Sequence, residues 1–281
     1  MGLIKEIPSM PSSTKDTDRS IAMIEQSLWS MWALFGRARD CELHESAEAS
    51  WFETPIPVQP YNMIFRFHGD QNSDDTIDRI FERSARRKIP FVWLVHPTAT
   101  PNDLRDRLRR RGYDEVEELM GMIADLDVIS PPAQPPPGIE IVEVTPGDEL
   151  ATYSEFIAAR WSIPEKARIH AQSILDVAAL GADGSPNRAW MAVRDGVALS
   201  KTLSHETDDS VGLYGTATRP EARGLGLGRL VCEHALSEAR SKGQKTAILH
   251  ATPMSIGLYG KIGFRPVAPI GVFTEPGSFY A

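Results

Sequence analysis

The chain has 281 residues, 42% hydrophobic, 24% charged and 8% aromatic, the balance of a folded globular protein and not of a collagen-like, coiled-coil or disordered one. Its 38 acidic against 30 basic residues give a formal charge of −8, which repels phosphate backbones and anionic lipids and argues against nucleic acid or a membrane as partner. The two cysteines, Cys41 and Cys232, stand far apart with no CxxC pair and no matching histidine spacing, so no disulfide or metal is expected and a cytoplasmic setting fits.

Residues 1–20 are polar and proline-bearing, and are expected to be mobile. No signal-peptide core appears, and no apolar run reaches the about eighteen residues of a membrane span. The length allows two domains, and the sharpest change in composition lies between them: residues 131–138 hold five prolines, which remove backbone donors and stiffen the chain into an extended linker. A first domain is therefore expected over 21–130 and a second over 139–281.

In the first domain, 74–87 reads as a helix, 89–95 as a buried strand, 101–111 as a helix stopped by Gly112, and 119–126 as a strand. Arg105, Arg107, Arg109, Arg110 and Arg111, interspersed with aspartates, read as a solvated face. The second domain opens with a strand at 139–144 and helices at 148–160 and 164–180. Strands at 189–193 and 197–203, joined through Asp195-Gly196, and at 211–218 follow. Then come a glycine-rich turn, a helix over 227–242, a strand over 245–250, a helix over 255–262 and a last strand after Gly263. The first domain echoes this ending, because Val95-His96 answers Leu249-His250 and Arg111-Gly112-Tyr113 answers Ile262-Gly263-Phe264. An internal duplication explains both matches.

The most informative segment runs from Thr216 to Arg229, a strand ending in a turn that opens a helix. Gly224, Gly226 and Gly228 allow close backbone approach, the helix start adds bare N–H groups and the positive end of its dipole, and Arg223 adds a charge. A pyrophosphate is the natural ligand. The dinucleotide fingerprint needs a glycine at 229 or 231, where Arg229 and Val231 stand, and the nucleotide P-loop needs a Lys after Gly228. Both alternatives fail.

These residues carry a resemblance to the GNAT superfamily of acyl-CoA-dependent amine acyltransferases. Its phosphate-loop signature is met by Arg223, Gly226 and Gly228, with Pro220 ahead of them. A second motif of that family is met by His250-Ala251-Thr252-Pro253, Leu258-Tyr259 and Gly263-Phe264. The similarity covers Gly138 to about Pro269. It implies an α/β (α+β) fold of two GNAT-like domains, each a mixed, mostly antiparallel sheet flanked by helices, the N-terminal one degenerate.

The resemblance further implies that the strand at 211–218 splays from the strand at 245–250, and that the backbone of Thr216, Ala217 and Thr218 holds the pantetheine arm of acetyl-CoA. Arg223, Gly224, Leu225, Gly226, Leu227, Gly228 and Arg229 would hold the pyrophosphate, with Ser255 also on the co-substrate. Tyr259 would protonate the leaving thiolate. His205, Glu206, Asp208 and Asp209 are candidates for the base, against a solvated acidic turn, and His250 is a weaker one. Trp161 lines the acceptor pocket or staples two helices.

The expected function is transfer of an acyl group, acetyl in the simplest case, from acyl-CoA to a primary amine of a small molecule by direct attack. The rival readings are a non-catalytic CoA-binding or regulatory module, and an enzyme of the same fold acting on another nucleophile without an acyl donor. Counting back from His96 as from His250, the first domain's counterpart of the phosphate loop is Gly69 to Asp74, and Leu108 stands opposite Tyr259. That domain is expected to bind no acyl-CoA.

Overall fold

A computed structural model describes residues 14–277. The expectation of mobility over 1–20 falls outside the described residues up to residue 13, and the rest of that segment opens a helix, α1 (Thr14–Gly36). The first half continues with β1 (Glu42–Glu45), β2 (Ala49–Glu53), β3 (Met63–Phe67), α2 (Asp74–Arg87), β4 (Val92–Val95), α3 (Leu104–Arg110) and β5 (Asp114–Asp125). After the proline-rich stretch come β6 (Glu140–Glu143), α4 (Asp148–Arg160), α5 (Arg168–Ala178), β7 (Asn187–Arg194), β8 (Val197–Glu206) and β9 (Val211–Thr218). The chain ends with α6 (Leu227–Ser241), β10 (Thr246–Ala251), α7 (Ile256–Ile262) and β11 (Arg265–Thr274).

From α1 to β5 the order is helix, three strands, helix, strand, helix, strand, and α5 to β11 repeats it element for element. The two halves do not keep separate sheets. All strands join one eleven-stranded sheet in the order β1-β2-β3-β4-β11-β5-β10-β9-β8-β7-β6. Each half gives its last strand to the other: β11 pairs with β4 of the first half, and β5 pairs with β10 of the second. β5 and β11 then pair with each other, antiparallel, along the centre. Among the described strands, β3–β4 and β9–β10 are the parallel pairs, at equivalent positions on either side of that centre.

Alternation along the strands gives the sheet two apolar faces. Val92 and Leu94 of β4 and Ile248 of β10 join a core with Ile24, Leu28 and Met31 of α1, Tyr153 and Phe156 of α4, and Ile174 and Leu175 of α5. Trp93 and Val95 face the other way, onto α2 and α3, while Ala247 and Leu249 meet α6 and α7. Helices α1, α4 and α5 therefore cover one face and α2, α3, α6 and α7 the other. Each fully buried Leu, Ile or Met of α1 contributes about 1.5–3 kcal/mol of burial, which fixes this first-half helix across strands of both halves.

The arginines of this segment form a solvated face only in part: Arg109 and Arg110 are exposed, and the others turn to carboxylates. Buried Arg107 binds Asp103 and Asp74, Arg111 binds Asp74 and Asp78, and Arg105 and Arg109 both reach Glu115. Carboxylates before α3, on α2 and on β5 thus pair with Arg105, Arg107, Arg109 and Arg111.

Candidate active site

The parallel pairing of β9 with β10 stops where Leu213 meets Leu249. From Tyr214 to Thr218, β9 keeps its partner β8 on one side and has no strand on the other. A β-bulge sits at the point of divergence, since the β8–β9 register shifts between Lys201 and Leu203, and Gly215 there has φ +57°. A glycine accommodates this left-handed geometry without Cβ strain.

The open strand leads through a short 3₁₀ turn at Pro220–Ala222 into the glycine-rich loop. Gly224 and Gly226 have φ of +81° and +76°, with nothing within 4 Å of the place a Cβ would occupy. The amides of Gly224, Leu225 and Gly226 donate to no acceptor among the described residues, and α6 begins directly after them. Gly228 does something different. It lies inside the first turn of α6, where a Cβ would stand 3.1 Å from Thr218 Oγ1, so its bareness lets the helix close onto the strand. Leu227 is 1% exposed and packs with Ile139 and Val231, leaving only its amide for a ligand. Arg223 is exposed, whereas Arg229 is tied to the buried carboxylate of Glu233 at 2.6 Å. Ser255 Oγ bonds within its own turn, to the Thr252 carbonyl and hydroxyl.

Tyr259 on α7 is buried against Phe264 in the core under α6 and α7. Burial raises its phenol pKa, and a hydrogen bond with Thr216 partly offsets this. Thr216 also contacts Cys232 Sγ at 3.5 Å and Thr202 Oγ1 at 2.8 Å. The loop, the open edge of β9 and Tyr259 thus meet at one end of the β9–β10 gap. Burial pushes the Cys232 thiol up to about 11, which leaves it protonated and a poor nucleophile.

The base candidates lie elsewhere. Glu206, Asp208 and Asp209 belong to the turn before Val211, at the closed end of the gap, about 16 Å along the strand from Thr216 at 3.3 Å per residue. Glu206 faces Lys242 at 3.8 Å, and the two aspartates are exposed. His205 is held by Asn187 Oδ1 and Ser30 Oγ, both at 2.7 Å, and burial lowers its pKa to about 4. It is a structural imidazole. His250 is likewise lowered to about 4 by burial and stays neutral. Trp161 packs at the end of α4 with the Arg160 guanidinium 4.4 Å above its ring.

Sequence reasoning missed Lys201. It sits on β8 opposite Ala217, 4% exposed, with Nζ 5.2 Å from the centre of the Tyr153 ring and 2.9 Å from the place of a Cβ on Gly215. Among the described residues no carboxylate lies within 4 Å of it. Burial, assisted by Arg160, lowers its pKa to about 7.

In the first half the equivalent gap is shut. Beyond the β3–β4 pairing, Thr100 bridges back to His68: its N–H donates to the Phe67 carbonyl at 3.3 Å, and Gly69 N–H donates to its carbonyl at 2.9 Å. The start of α2 is occupied by the chain's own groups, since Asn72 N–H donates to the Asp70 carboxylate at 2.7 Å and Asp70 N–H to Ser73 Oγ at 2.7 Å. Leu108 is fully buried. One cluster able to hold a metal occurs among the described residues, Glu42, His44 and Glu53, and there Arg83 and Arg87 already neutralise Glu53. No described helix is long and apolar enough to cross a membrane.

Residues 153–264 match the model of the acetyltransferase (GNAT) family. No curated protein matches the chain in sequence. Among solved structures, a GCN5-related N-acetyltransferase from Kribbella flavida aligns with a TM-score of 0.66 at 17% identity, over 92% of this chain and 96% of that one. A tandem GNAT protein from the clavulanic acid biosynthesis pathway aligns with a TM-score of 0.60 at 14% identity, over 97% and 98%. A GCN5-related N-acetyltransferase from Sphaerobacter thermophilus gives 0.58 at 14%, over 83% and 82%. Residues 153–264 therefore match the acetyltransferase (GNAT) family, within a chain whose overall fold is similar to that of the tandem GNAT protein.

Proposed function

We propose that the second half transfers an acyl group, acetyl in the simplest case, from acyl-CoA to a primary amine of a small molecule by direct attack in a ternary complex. GNAT enzymes in general draw the acyl group from acyl-CoA. The observation that carries the reading is the open edge of β9, Tyr214 to Thr218, running into the unpaired amides of Gly224, Leu225 and Gly226 at the start of α6. A peptide-like pantetheine arm can add to such an edge as an extra strand. The bare amides, the α6 dipole and exposed Arg223 suit the pyrophosphate.

An arm paired with Thr216, Ala217 and Thr218 brings its thioester to the bulge at Gly215, where backbone N–H groups can support the oxyanion. Tyr259, on the α7 side of β9, is the group to protonate the departing thiolate. Both cysteines argue for direct attack over a covalent intermediate, because burial raises each thiol to about 11. The acceptor approaches from the opposite face, between α1, α4 and α5. Release of free thiol from acetyl-CoA, measured against a panel of primary amines, tests this reading: turnover with at least one amine supports it, and binding of acetyl-CoA without turnover leaves the non-catalytic module.

A further inference from the structure

The acyl transfer proposed above requires the acceptor, which arrives as an ammonium ion, to lose a proton before its lone pair can attack. None of the acidic residues near the β8–β9 turn reaches the bulge. We infer that Lys201 is that proton acceptor, an inference that rests on the proposed acyl transfer and extends it to the acceptor's side of the site.

Position is the first ground. Lys201 shares its face of the sheet with Ala217, which packs into the core beneath α1, α4 and α5. Thr216, one residue earlier, turns the other way, to Cys232 of α6 and to Tyr259 of α7. Lys201 and Tyr259 therefore approach the bulge from opposite faces of β9, as a base for the incoming amine and an acid for the outgoing thiolate must. Nζ reaches the bulge itself, 2.9 Å from the position a Cβ on Gly215 would take.

Surroundings are the second ground. A buried ammonium needs a carboxylate or it discharges, and no described carboxylate pairs with this one. α4 offers the Tyr153 ring and the positive charge of Arg160. β7 offers Met191, β9 only backbone and Ala217, and α1 the hydroxyls of Ser27 and Ser30, which are taken by Tyr214 and His205. His205 and His250 are neutral. The Tyr153 ring face is the one of these neighbours that favours the ammonium; burial and Arg160 outweigh it, so the amine is free to accept a proton near neutral pH, in keeping with a pKa near 7.

The proton inventory closes. R–NH3⁺ gives one proton to Lys201 Nζ, and the freed lone pair forms the C–N bond to the thioester carbon. Collapse breaks the C–S bond, the thiolate takes the Tyr259 proton, and the second proton on nitrogen restores the phenol. Lys201 then returns its proton to water. Products are the N-acyl amine and CoA thiol.

Two measurements test the inference. In full-length protein carrying ¹³C-labelled lysine, the Lys201 signal, identified by its loss in Lys201→Met, should titrate near pH 7; a midpoint near 10 overturns the inference whatever the amine panel gives. With an amine from the panel held at saturation, kcat of the parent should rise through pH 7. Lys201→Met should lose that rise and about 10²-fold or more of kcat at pH 8, with acetyl-CoA affinity by calorimetry unchanged. Lys201→Arg, which stays charged and cannot act as a base at this pH, should be as impaired. If Lys201→Met keeps the rise and kcat and raises only KM for amines that bear a carboxylate, Lys201 is an anion holder and the inference is wrong. If the parent binds acetyl-CoA and turns over no amine, the proposed function fails and takes this step with it.

Discussion

The Ser27 hydroxyl of α1 meets the Tyr214 hydroxyl of β9 at 2.8 Å, in a contact where Ser27 is 0% exposed and Tyr214 5%. It joins the first helix of one half to the open strand of the other, one residue before the Gly215 bulge. Gly212 leaves room for it, because a Cβ there would come within 2.7 Å of Ser27 Oγ. Ser27→Ala strands the buried phenol and should cost about 1–3 kcal/mol, or a Tm lower by several degrees for a chain of this size. Calorimetric melting of the two proteins checks this, and an unchanged Tm would mean that the contact couples nothing.

Exchange of last strands makes the halves interdependent. Residues 139–281 produced alone would leave β10 without β5 along Met120–Asp125, and β11 without both β4 and β5. Open sheet edges with this much apolar surface aggregate. That fragment should fail to give the near-ultraviolet dichroism of the native protein, whereas two autonomous domains would give it.

Gly226→Asp should abolish acetyl-CoA binding while leaving the fold intact. The site is strained for a side chain at φ +76° but unobstructed, so the cost is about 1–2 kcal/mol. The new carboxylate would cover the amides of the loop, as Asp70 already does for Asn72 in the first half. Arg223→Ala removes one exposed charge and should be milder. Parent-like affinity in the aspartate variant would remove the phosphate-loop assignment.

Tyr259→Phe keeps the ring against Phe264 and deletes the proton donor and its bond to Thr216. kcat should fall about 10-fold or more, with KM for acetyl-CoA little changed. Steady-state kinetics with an amine from the panel decide the matter, since an unchanged kcat makes Tyr259 a packing residue.

The ranges 74–87, 148–160 and 211–218 expected from sequence coincide with α2, α4 and β9, because caps, glycines and apolar periodicity are local signals. α1 and β1 to β3 carried no motif and were not anticipated. The exchange of β5 and β11 is a matter of pairing between segments far apart in the chain, which no local pattern encodes. At the site, the loop announces itself through glycine spacing and Arg223. Lys201 does not: in an alternating strand a lysine reads as a solvent-facing residue, and only the packing of α4 over β8 buries it. Glu206, Asp208 and Asp209 failed as bases for the opposite reason. They are near Thr216 in sequence, and an extended strand carries them away from it.

One working acyl-CoA site, in the second half alone, follows from the open edge of β9 and from the Thr100 bridge and Asp70 cap that close its counterpart. Titration calorimetry of the full-length protein with acetyl-CoA measures this directly. One molecule should bind per chain, falling to none in Gly226→Asp. Two equivalent sites, or a site that survives in that variant, would contradict the account.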